Sequence, residues 1–530
     1  MGGGSDWHFD ARCTGDDMGR ENSLSGRRTV RQLTWALTAT LAGRLLSFVG
    51  LVVLARFLAP EDFGLFATAL VFVTYVETIG DLGTGAALVY WPDRPRDAAQ
   101  LTFAVNVLMG CAWFVVAQGA ALSVARFFQN ADAAPVLQAI AWVLPIKFLG
   151  QTHDAWLQRD IRFRARALPE VALALAKLVL SIGLAVRGFG VWSLVWGQIG
   201  GQLAWTAGVW LLVPWRPGWR IPLDLLGPML RYGRGLIAVG VLSAIVHHAD
   251  LVIVGRMLGT TELGWYRVAS RLPELAIALM VWVAGKVFFP TFARLNADGG
   301  GRLGEAYLSV LRYLTILSLT AAAVLFFAAE PIVVVLFGEA WRPAAPILRG
   351  LSVYAGLRAS GSQAGEVFKA TGHTGWLARL AVLKAVLMVP ALVLAARIDA
   401  TAVAWALAGV TALTAAISLG ASAVLLRLSA RRLFAAIRPG LLHVLVLAGL
   451  LEAWRRMATS GWPLVELSVT LLIAATTLFT VVGCLSRAGT PADRSLTSDA
   501  FPVLPHELET PDTAATGMPT ARLDPQKSPR

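Results

Sequence analysis

Cysteine is scarce in this chain, and the few cysteines present are far apart. Cys13, Cys111 and Cys484 lie in unrelated segments, without the C-x-x-C spacing of a redox or zinc site. The sequence therefore predicts no disulfide framework, no metal site and no redox chemistry.

Charged residues are also scarce for a chain of this length. They make up 15% of the 530 residues, and apolar residues make up 56%, whereas soluble domains carry about a quarter charged residues. Uncharged runs of roughly 20 residues recur along the chain, which is the length that an α-helix needs to cross hydrocarbon. A membrane β-barrel would instead show short alternating segments. The fold class predicted is an all-α polytopic membrane protein.

Nucleotide-binding sequences are absent as well. The chain has no G-x-x-x-x-G-K-[ST] loop and no hydrophilic stretch large enough for a nucleotide or sugar-nucleotide domain. We therefore expect no enzyme activity, no catalytic residues and no cofactor, so that any transport would draw on an ion gradient, the membrane potential or the substrate concentration. Nucleic-acid binding is not expected, because the basic residues behind the net charge of +13 lie in short loops.

The apolar runs divide the chain into two lobes with flanking segments. We predict a cytoplasmic N-terminal tail without a cleavable signal peptide, two six-helix lobes joined by a linker, two additional helices and a disordered tail. The predicted boundaries are 1–30 for the N-terminal tail, 31–213 for the N-lobe, 214–235 for the linker, 236–430 for the C-lobe, 431–486 for the additional helices and 487–530 for the disordered cytoplasmic tail.

The individual helices follow from the apolar runs and their breaks. They are predicted near 33–58, 63–91, 98–125, 134–157, 168–186, 190–213, 236–258, 263–290, 306–328, 331–357, 359–396, 401–427, 438–454 and 463–486. The segment 331–397 is ambiguous, because prolines and glycines interrupt it. Two crossings there would give fourteen helices in the chain, and three would give fifteen.

A segment of the first half recurs 200 residues later. The sequence LVVLARFLAPEDFGLF at 51–66 matches LVIVGRMLGTTELGWY at 251–266. Both copies place an arginine at the end of one apolar helix, then a short acidic turn, then a glycine that opens the next helix. The residues in register are Leu51/Leu251, Val52/Val252, Arg56/Arg256, Leu58/Leu258 and Gly64/Gly264. Two similar membrane halves are typical of transporters, in which two bundles rock about a central site.

The loops predict how the chain is inserted in the membrane. If the N-terminus is cytoplasmic, the inside loops hold many arginines, as at 159–166, and the outside loops hold few. This bias agrees with the positive-inside rule, and an even number of helices puts both termini in the cytoplasm. The acidic turns at Glu61–Asp62 and Glu262 then face outward, and the repeats are parallel about an axis along the membrane normal.

Ionisable side chains within the predicted spans mark the candidate site. Each costs about 2.5–3.5 kcal/mol on insertion scales, so those present usually face a lumen and have a partner or a ligand. Arg267 and Arg271 share one helix face with Glu274, and Glu77 and Asp81 share a face of the corresponding helix in the first half. We interpret these helices as a lumen with an anion-binding wall. The alternative is that the charges pair across the bundle interface or snorkel.

The predicted site residues form two groups. The substrate-binding candidates are Arg44, Arg267, Arg271 and Lys147, with a snorkelling lysine as the alternative for Lys147. The coupling or gating candidates are Glu77, Asp81, Asp250, Glu274 and Pro273, the last because proline permits a kink. Other ionisable residues within predicted spans are Lys177, His247, His248, Lys286, Arg358, Glu366 and Lys384. Arg56 and Arg256, which recur with the repeat, are interpreted as structural clamps.

Six blocks of the sequence, in order, carry a family resemblance. They are LARFLAPEDFGL (54–65), DLGTGAALV (81–89), LQRDIRFR (157–164), GFGVWSLV (188–195), DLVIVGRMLG with LGWY (250–266) and FFPTFARL (288–295). The chain resembles the polysaccharide-transporter branch of the multidrug/oligosaccharidyl-lipid/polysaccharide (MOP) exporter superfamily, which includes Wzx-type flippases and the colanic-acid and capsular polysaccharide exporters. The resemblance covers residues from about 33 to 430.

This resemblance implies a fold and a function. The fold is one of 12–14 transmembrane helices in two pseudo-symmetric lobes around a cationic cavity, as in MATE-type exporters. The function is to move a lipid-linked oligosaccharide, typically on undecaprenyl diphosphate, from the inner to the outer leaflet of the bacterial inner membrane. Only Asp81 and Asp250, which lie in the aligned blocks, are carried over from the family as site residues.

The expected partners are a lipid-linked oligosaccharide and membrane lipids, and a polysaccharide polymerase and glycosyltransferases are further expectations. Two alternatives stay open. A cation-coupled small-molecule exporter of the same superfamily would need unpaired carboxylates in the membrane. A non-transporting scaffold of a polysaccharide synthase complex would need no charge in a lumen.

Overall fold

The computed structural model describes residues 43–80, 82–90, 94–160, 163–218, 220–283, 288–297, 302–457 and 463–487. These ranges are almost entirely helical, which confirms the predicted fold class. The predicted N-terminal tail, residues 488–530 of the predicted C-terminal tail, Asp81 and Lys286 lie outside the described residues.

The helices of the first half follow the predicted apolar runs. They are α1 (Gly43–Leu54), α2 (Pro60–Ile79), α3 (Thr84–Tyr90), α4 (Pro95–Phe127), α5 (Ala133–Ile140), α6 (Val143–Arg159), α7 (Phe163–Val186) and α8 (Val191–Leu212). The second half contains α9 (Leu226–Met257), α10 (Thr260–Val283), α11 (Phe289–Ala297), α12 (Leu303–Phe327), α13 (Ala329–Phe337), α14 (Ala344–Ser360), α15 (Ser362–Ala370), α16 (Thr374–Ala395), α17 (Ala400–Leu425), α18 (Ala430–Met457) and α19 (Pro463–Arg487).

Length and hydropathy identify the protein as a multi-pass membrane protein. Nine segments of the described chain are long and apolar enough to cross a membrane. They are Pro95–Phe127, Ala133–Arg159, Ala165–Val186, Gly240–Met257, Leu303–Phe327, Thr374–Ala395, Ala400–Leu425, Ala430–Met457 and Leu464–Val481.

Several predicted helices are broken in two. The run predicted at 63–91 divides into α2 and α3, and Leu82 and Gly83 both have positive φ at the break. The run at 331–357 divides at Gly338, which has φ 104°. Hydropathy alone does not show such breaks, because a chain that leaves helical geometry for two residues keeps its apolar composition.

The ambiguous segment 331–397 contains two longer helices and two short ones. The longer helices are α14 and α16, and the short helices α13 and α15 each have nine residues, about 13 Å of helix. Nine residues are too few to cross hydrocarbon. The structure therefore favours two crossings in this segment, and with them the fourteen-helix alternative.

Helix α9 begins inside the segment predicted as a linker at 214–235. Helix α9 begins at Leu226, ten residues before the predicted start at 236. The first turns of α9 contain arginines and glycines, and the described apolar part that could cross a membrane includes Gly240–Met257. A helix satisfies its backbone hydrogen bonds internally in water as well as in lipid, so hydropathy marks the edge of the hydrocarbon and misses the helix start.

The two lobes repeat one packing arrangement. In the N-lobe, α6 packs between α4 and α8, and α7 pairs with α8. In the C-lobe, α14 packs between α12 and α17, and α16 pairs with α17. The additional helices α18 and α19 pack on α12, outside this repeat. The lobes meet mainly where α2 contacts α10 and α9, and one large apolar core runs through both.

The lobes touch closely at the end that carries the acidic turns, which we call the acidic-turn end. Gly64 of α2 and Gly264 of α10 face each other. A Cβ atom added to Gly64 would lie 3.1 Å from the backbone nitrogen of Gly264, and one added to Gly264 would lie 3.2 Å from that of Gly64. The Thr261 hydroxyl donates a hydrogen bond to the Glu61 carboxylate at 3.0 Å. These partners are equivalent positions of the 200-residue repeat, so the pseudo-twofold axis passes between α2 and α10.

Two repeated arginines also lie at the acidic-turn end. Arg56 donates to the carbonyl oxygens of Val335 and, at 3.2 Å, Leu336 at the end of α13. Arg256 lies over the Phe127 ring at 5.5 Å and contacts the Gln129 carboxamide oxygen. Each arginine thus reaches from its own lobe into the other, which supports their interpretation as structural clamps.

The opposite end, the arginine-loop end, is also closed. A Cβ on Gly83 would lie 2.6 Å from the Gly233 Cα atom, and one on Gly233 would lie 2.3 Å from the Leu82 carbonyl oxygen. The rings of Tyr90 and Tyr232 stack there with centroids 4.9 Å apart. The structure is therefore a form in which the lobes are in contact at both ends.

Candidate functional site

Helices α9 and α10 carry the charged centre of the C-lobe. The Tyr266 hydroxyl donates to Asp250 at 2.9 Å, which joins the two helices. Arg271 forms an ion pair with Glu274 at 2.9 Å. Arg267 lies within electrostatic range of Arg271, Glu274 and Asp250. Spacings of three and four residues put the charged groups of α10 on one face, as the sequence predicts.

The N-lobe adds a cation to this centre. The Lys177 ammonium of α7 donates to the Gln198 side-chain oxygen at 2.5 Å and lies 6.0 Å from the centre of the Phe66 ring. It is within electrostatic range of Arg267 and Arg271. Cations from both lobes therefore meet at the middle of the molecule.

Helices α14 and α16 contribute two more cations. The Arg358 guanidinium and the Lys384 ammonium each lie 5.8 Å from the centre of the Tyr354 ring. Tyr354 is within electrostatic range of Asp250 and Glu274, so this pair continues the same centre. We call Lys177, Arg267, Arg271, Arg358 and Lys384 the cationic cluster. Among the described groups at the centre, five cations and two carboxylates, Asp250 and Glu274, give a formal net charge of +3.

Little open space remains at the centre of this closed form. A cavity of about 20 Å³ lies between α2, α9 and α10, lined by Ala67, Leu70, Val71, Thr74, His248, Leu251 and Arg267. That volume holds about one water molecule. A sugar diphosphate would need the lobes to separate before it could reach Arg267.

The structure pairs two predicted residues with each other. The Lys147 ammonium of α6 forms an ion pair with the Glu77 carboxylate of α2 at 2.9 Å, and both side chains are partly buried. This pair lies within the N-lobe, and the Arg271–Glu274 pair lies within α10. The pairs observed therefore form within lobes, whereas the alternative from the sequence placed them across the bundle interface.

The remaining predicted residues lie elsewhere. Arg44 is exposed in the first turn of α1. Pro273 is buried inside α10, which continues through it as one helix. The roles proposed for both, in diphosphate binding and as a hinge, stay predictions. Asp81 lies outside the described residues.

Sequence reasoning left out of its site prediction four residues that lie at this centre. Lys177, Arg358 and Lys384 were identifiable as ionisable residues within predicted spans, but no repeat or spacing connected them to α10. Tyr266 carried a further signal, because the repeat places Phe66 in the equivalent position. A tyrosine hydroxyl at a position that is otherwise apolar indicates a polar partner, which is Asp250.

The two-lobed helical fold is the one seen in solved transporters of the MOP superfamily. The solved structure "Lipid II flippase MurJ, inward closed conformation" is similar, with a TM-score of 0.71 at 13% identity over 86% of this chain and 99% of that chain. An inward-facing multidrug resistance MATE family transporter gives a TM-score of 0.59 at 16% identity, over 72% and 94%. At these identities the likeness shows the fold.

The chain belongs to the family described as "Polysaccharide biosynthesis protein", whose profile matches residues 53–346. The succinoglycan biosynthesis transport protein ExoT of Rhizobium meliloti (strain 1021) is 26% identical over 69% of this chain and 74% of its own length. The lipopolysaccharide biosynthesis protein WzxC of Escherichia coli (strain K12) is 24% identical over 71% and 75%.

Proposed function

We propose that this protein is a flippase that moves a lipid-linked oligosaccharide across the bacterial inner membrane for surface polysaccharide biosynthesis. The observation that carries the proposal is the cationic cluster, to which both lobes contribute. A formal net charge of +3 among described groups in an apolar membrane protein favours binding of an anion that offsets it. The diphosphate of a polyprenyl-linked sugar is such a ligand.

Guanidinium groups suit this ligand chemically. Arginine presents planar N–H donors that bind phosphate oxygens in pairs, and such charge-assisted bonds are about twice as strong as neutral ones. Arg267 and Arg271 lie one helical turn apart and could hold the two phosphates of one diphosphate. Without protein, moving these charges through hydrocarbon would be prohibitive.

Transport would follow from rocking of the two lobes. The head group enters when the lobes separate at one end, and leaves when they separate at the other. For a head group with two negative charges, an inside-negative potential of about 100 mV favours outward movement by about 4.6 kcal/mol. Most of that gain cancels if the binding arginines cross the field with the substrate.

The relatives support this substrate class over a cation exporter. Their names concern succinoglycan transport and lipopolysaccharide biosynthesis. The two carboxylates at the centre already have partners, since Asp250 accepts from Tyr266 and Glu274 binds Arg271. A cation-coupled exporter would need a carboxylate free to bind its ion. Under this proposal the protein is a transporter and catalyses no reaction. Its termini lie in the cytoplasm, as the arginines of the loops predict.

The experiment that tests this proposal uses a strain that lacks the gene. We expect undecaprenyl-linked oligosaccharide to accumulate in the cytoplasmic leaflet, which is measured from the sidedness of the lipid in spheroplasts. The wild-type gene should restore outward movement, and the Arg267→Ala/Arg271→Ala variant should not. Normal sidedness in the deletion strain would contradict the proposal.

A matched control distinguishes the effect of losing arginines of the cationic cluster from the effect of losing any two arginines. Arg455→Ala/Arg456→Ala also removes two arginines of one helix, but both are exposed at the end of α18. This control should restore transport fully. If the Arg267/Arg271 variant restored it equally well, the scaffold alternative would be favoured.

A further inference from the structure

The N-lobe contains a second set of charged side chains, between the cationic cluster and the arginine-loop end. Asp154 of α6 accepts two hydrogen bonds from Arg166 of α7, both at 2.8 Å. Glu170, one turn further along α7, accepts a hydrogen bond from the Trp205 indole of α8 at 3.2 Å. Glu170 also lies within electrostatic range of the Asp154–Arg166 pair and of Lys147. We call Glu77, Lys147, Asp154, Arg166 and Glu170 the N-lobe polar wall.

The N-lobe polar wall differs from the cationic cluster in the sign of its charge. Its three carboxylates and two cations give a formal net charge of −1, whereas the described groups at the centre give +3. A negative charge is therefore attracted to the cluster and repelled by the wall. The two regions together suit a ligand that is anionic in one part and uncharged in the next.

The polar wall is open to a ligand. Glu170 is exposed, and the side chains of Arg166 and Lys147 are 37% and 31% exposed. Glu170 lies inside the apolar segment Ala165–Val186, where an ionised group that faced lipid would be costly. Its exposed surface therefore faces a polar space between helices.

The polar wall also has unused capacity for hydrogen bonds. The side-chain oxygen of Gln151, one turn of α6 beyond Lys147, is buried without a hydrogen-bond partner among the described residues. An ionised carboxylate has about four acceptor sites, and Trp205 occupies one of those on Glu170. A sugar carries several hydroxyl groups, each of which can donate and accept. Its hydroxyls would satisfy these acceptors.

The polar wall lies where the sugar of a bound head group would be. Glu170 and Lys177 share one face of α7 about two turns, or about 10 Å, apart. Lys177 belongs to the cationic cluster, and Glu170 lies on its arginine-loop side. The sugars of a lipid in the cytoplasmic leaflet extend into the cytoplasm. They therefore follow the diphosphate toward the centre and lie on this same side of it under the proposed topology.

We propose that the N-lobe polar wall binds the sugar attached to the diphosphate, and that Glu170 restricts this position to an uncharged sugar. The inference rests on the flippase function proposed above and adds the chemical class of the first sugar. Hydroxyl groups donate to Glu170, whereas the carboxylate of a uronic acid would lie against it as a like charge. A site built to hydrogen-bond a polar group rejects a ligand that leaves the site's own groups unpaired.

The test removes the charge of Glu170 and keeps its shape. Glu170→Gln is nearly isosteric and retains an oxygen that accepts from Trp205. Glu170→Asp keeps the charge on a shorter side chain. Glu452→Gln is the matched control, because Glu452 is a carboxylate of α18, which packs outside the repeated lobes. Thermal unfolding of each purified protein checks its fold.

The probes are three undecaprenyl diphosphates, which carry glucose, glucuronic acid or no sugar, and the two sugars differ only at C6. Binding is measured with the full-length protein in lipid nanodiscs. We expect the wild type to bind the glucose probe about tenfold more tightly than the glucuronic acid probe. Glu170→Gln should remove this preference, and Glu170→Asp and Glu452→Gln should keep it. All four proteins should bind the sugar-free probe equally.

Two results would overturn the proposal. The first is equal binding of the glucose and glucuronic acid probes by the wild type, or a preference that Glu170→Gln leaves unchanged. The second comes from a titration with Na⁺ against choline at constant ionic strength. If Na⁺ strengthens binding of all three probes to the wild type but not to Glu170→Gln, then Glu170 binds a cation and the sugar assignment is wrong.

The sugar-free probe distinguishes this proposal from the function on which it rests. If Arg267→Ala/Arg271→Ala weakens binding of that probe but the wild type shows no sugar preference, the diphosphate site stands and the proposal for the polar wall is wrong. If the wild type binds none of the three probes, the flippase function fails and this proposal fails with it. Weaker binding of every probe in the arginine variant, with loss of sugar preference in Glu170→Gln, supports both.

Discussion

The contact between Gly64 and Gly264 predicts that alanine at either position holds the acidic-turn end open. A Cβ on Gly64 would lie 1.7 Å from the Thr260 carbonyl oxygen, and one on Gly264 would lie 2.0 Å from that of Pro60. Side-chain carbons keep at least 3.0 Å from such atoms. Helices α2 and α10 would therefore have to separate locally by 1.3 Å and 1.0 Å, respectively.

This separation destabilises only the closed form of the protein. Overpacking of this kind costs about 1–3 kcal/mol, and in the open form the helices are already apart. A difference of that size shifts a two-state equilibrium by roughly 5- to 150-fold toward the open form. The two substitutions together should shift it little further, since one separation relieves both clashes and neighbouring sites are not additive.

Thiol crosslinking measures the shift directly. Glu61 and Thr261 are in hydrogen-bond contact across the same end. Glu61→Cys and Thr261→Cys, introduced after replacement of the native cysteines, should react rapidly with a short bifunctional maleimide. Gly264→Ala in this background should slow the reaction, by a factor that approaches the shift in the equilibrium once the open form predominates.

Gly420→Ala serves as the control, because a Cβ at Gly420 meets nothing within 4 Å. It changes another glycine of a membrane helix, and the crosslinking rate should stay at that of the parent. If Gly264→Ala crosslinks at the parental rate while its purified form elutes as a single folded species, the interpretation of this contact as a closing surface is refuted.

Three further predictions concern charged residues. Lys177→Met should slow outward movement in the sidedness assay about tenfold, and Lys177→Arg should restore it; a wild-type rate in the methionine variant would exclude Lys177 from the site. Lys147→Met and Glu77→Gln should each lower the melting temperature, with a coupling in the double variant of about 0.5–3 kcal/mol; additive losses would mean that the pair contributes nothing. Arg56→Ala removes charged hydrogen bonds to α13, each contributing about 1.5–3 kcal/mol, so crosslinking between positions 61 and 261 should slow; an unchanged rate would rule out a clamp.

The sequence predicts most of the fold, because hydrocarbon imposes strong constraints on helices. Runs of apolar residues located the spans, and the repeat at 51–66 and 251–266 predicted two equivalent halves. The sequence did not predict where helices begin outside the hydrocarbon region, as at Leu226, or where they break, as at Gly83. Those depend on backbone geometry and on contacts between lobes, neither of which changes the local composition.

The site is less predictable, since its residues come from helices far apart in sequence. Arg267, Arg271 and Glu274 were found because they share one helix face. Lys177 could be recognised as a buried charge, but nothing local shows that α7 brings it near α10. The Lys147–Glu77 pair illustrates the converse, because two residues assigned separate roles bind each other.

The two closed ends differ in what must break for each to open. At the acidic-turn end, separation would break the bonds from Arg56 to α13 and the bond between Thr261 and Glu61. At the arginine-loop end, the described contacts include a close glycine approach, the Tyr90–Tyr232 stack and the ion pair of Arg94 with Asp224 at 2.6 Å, which joins the start of α4 to the turn before α9. Charged hydrogen bonds contribute about 1.5–3 kcal/mol each, and an aromatic pair about 0.5–1.5 kcal/mol.

Both ends thus have to break a charged contact, and separation at the arginine-loop end would, under the proposed topology, admit substrate from the cytoplasmic leaflet. In the empty protein, Lys177 of one lobe and Arg267 and Arg271 of the other lie within electrostatic range as like charges, and their repulsion favours that separation. A bound diphosphate would turn the repulsion into attraction for a shared anion and draw the lobes together around it. Closing the arginine-loop end over the head group would then strain the acidic-turn end, so that the ligand's charge sets the order of the two openings.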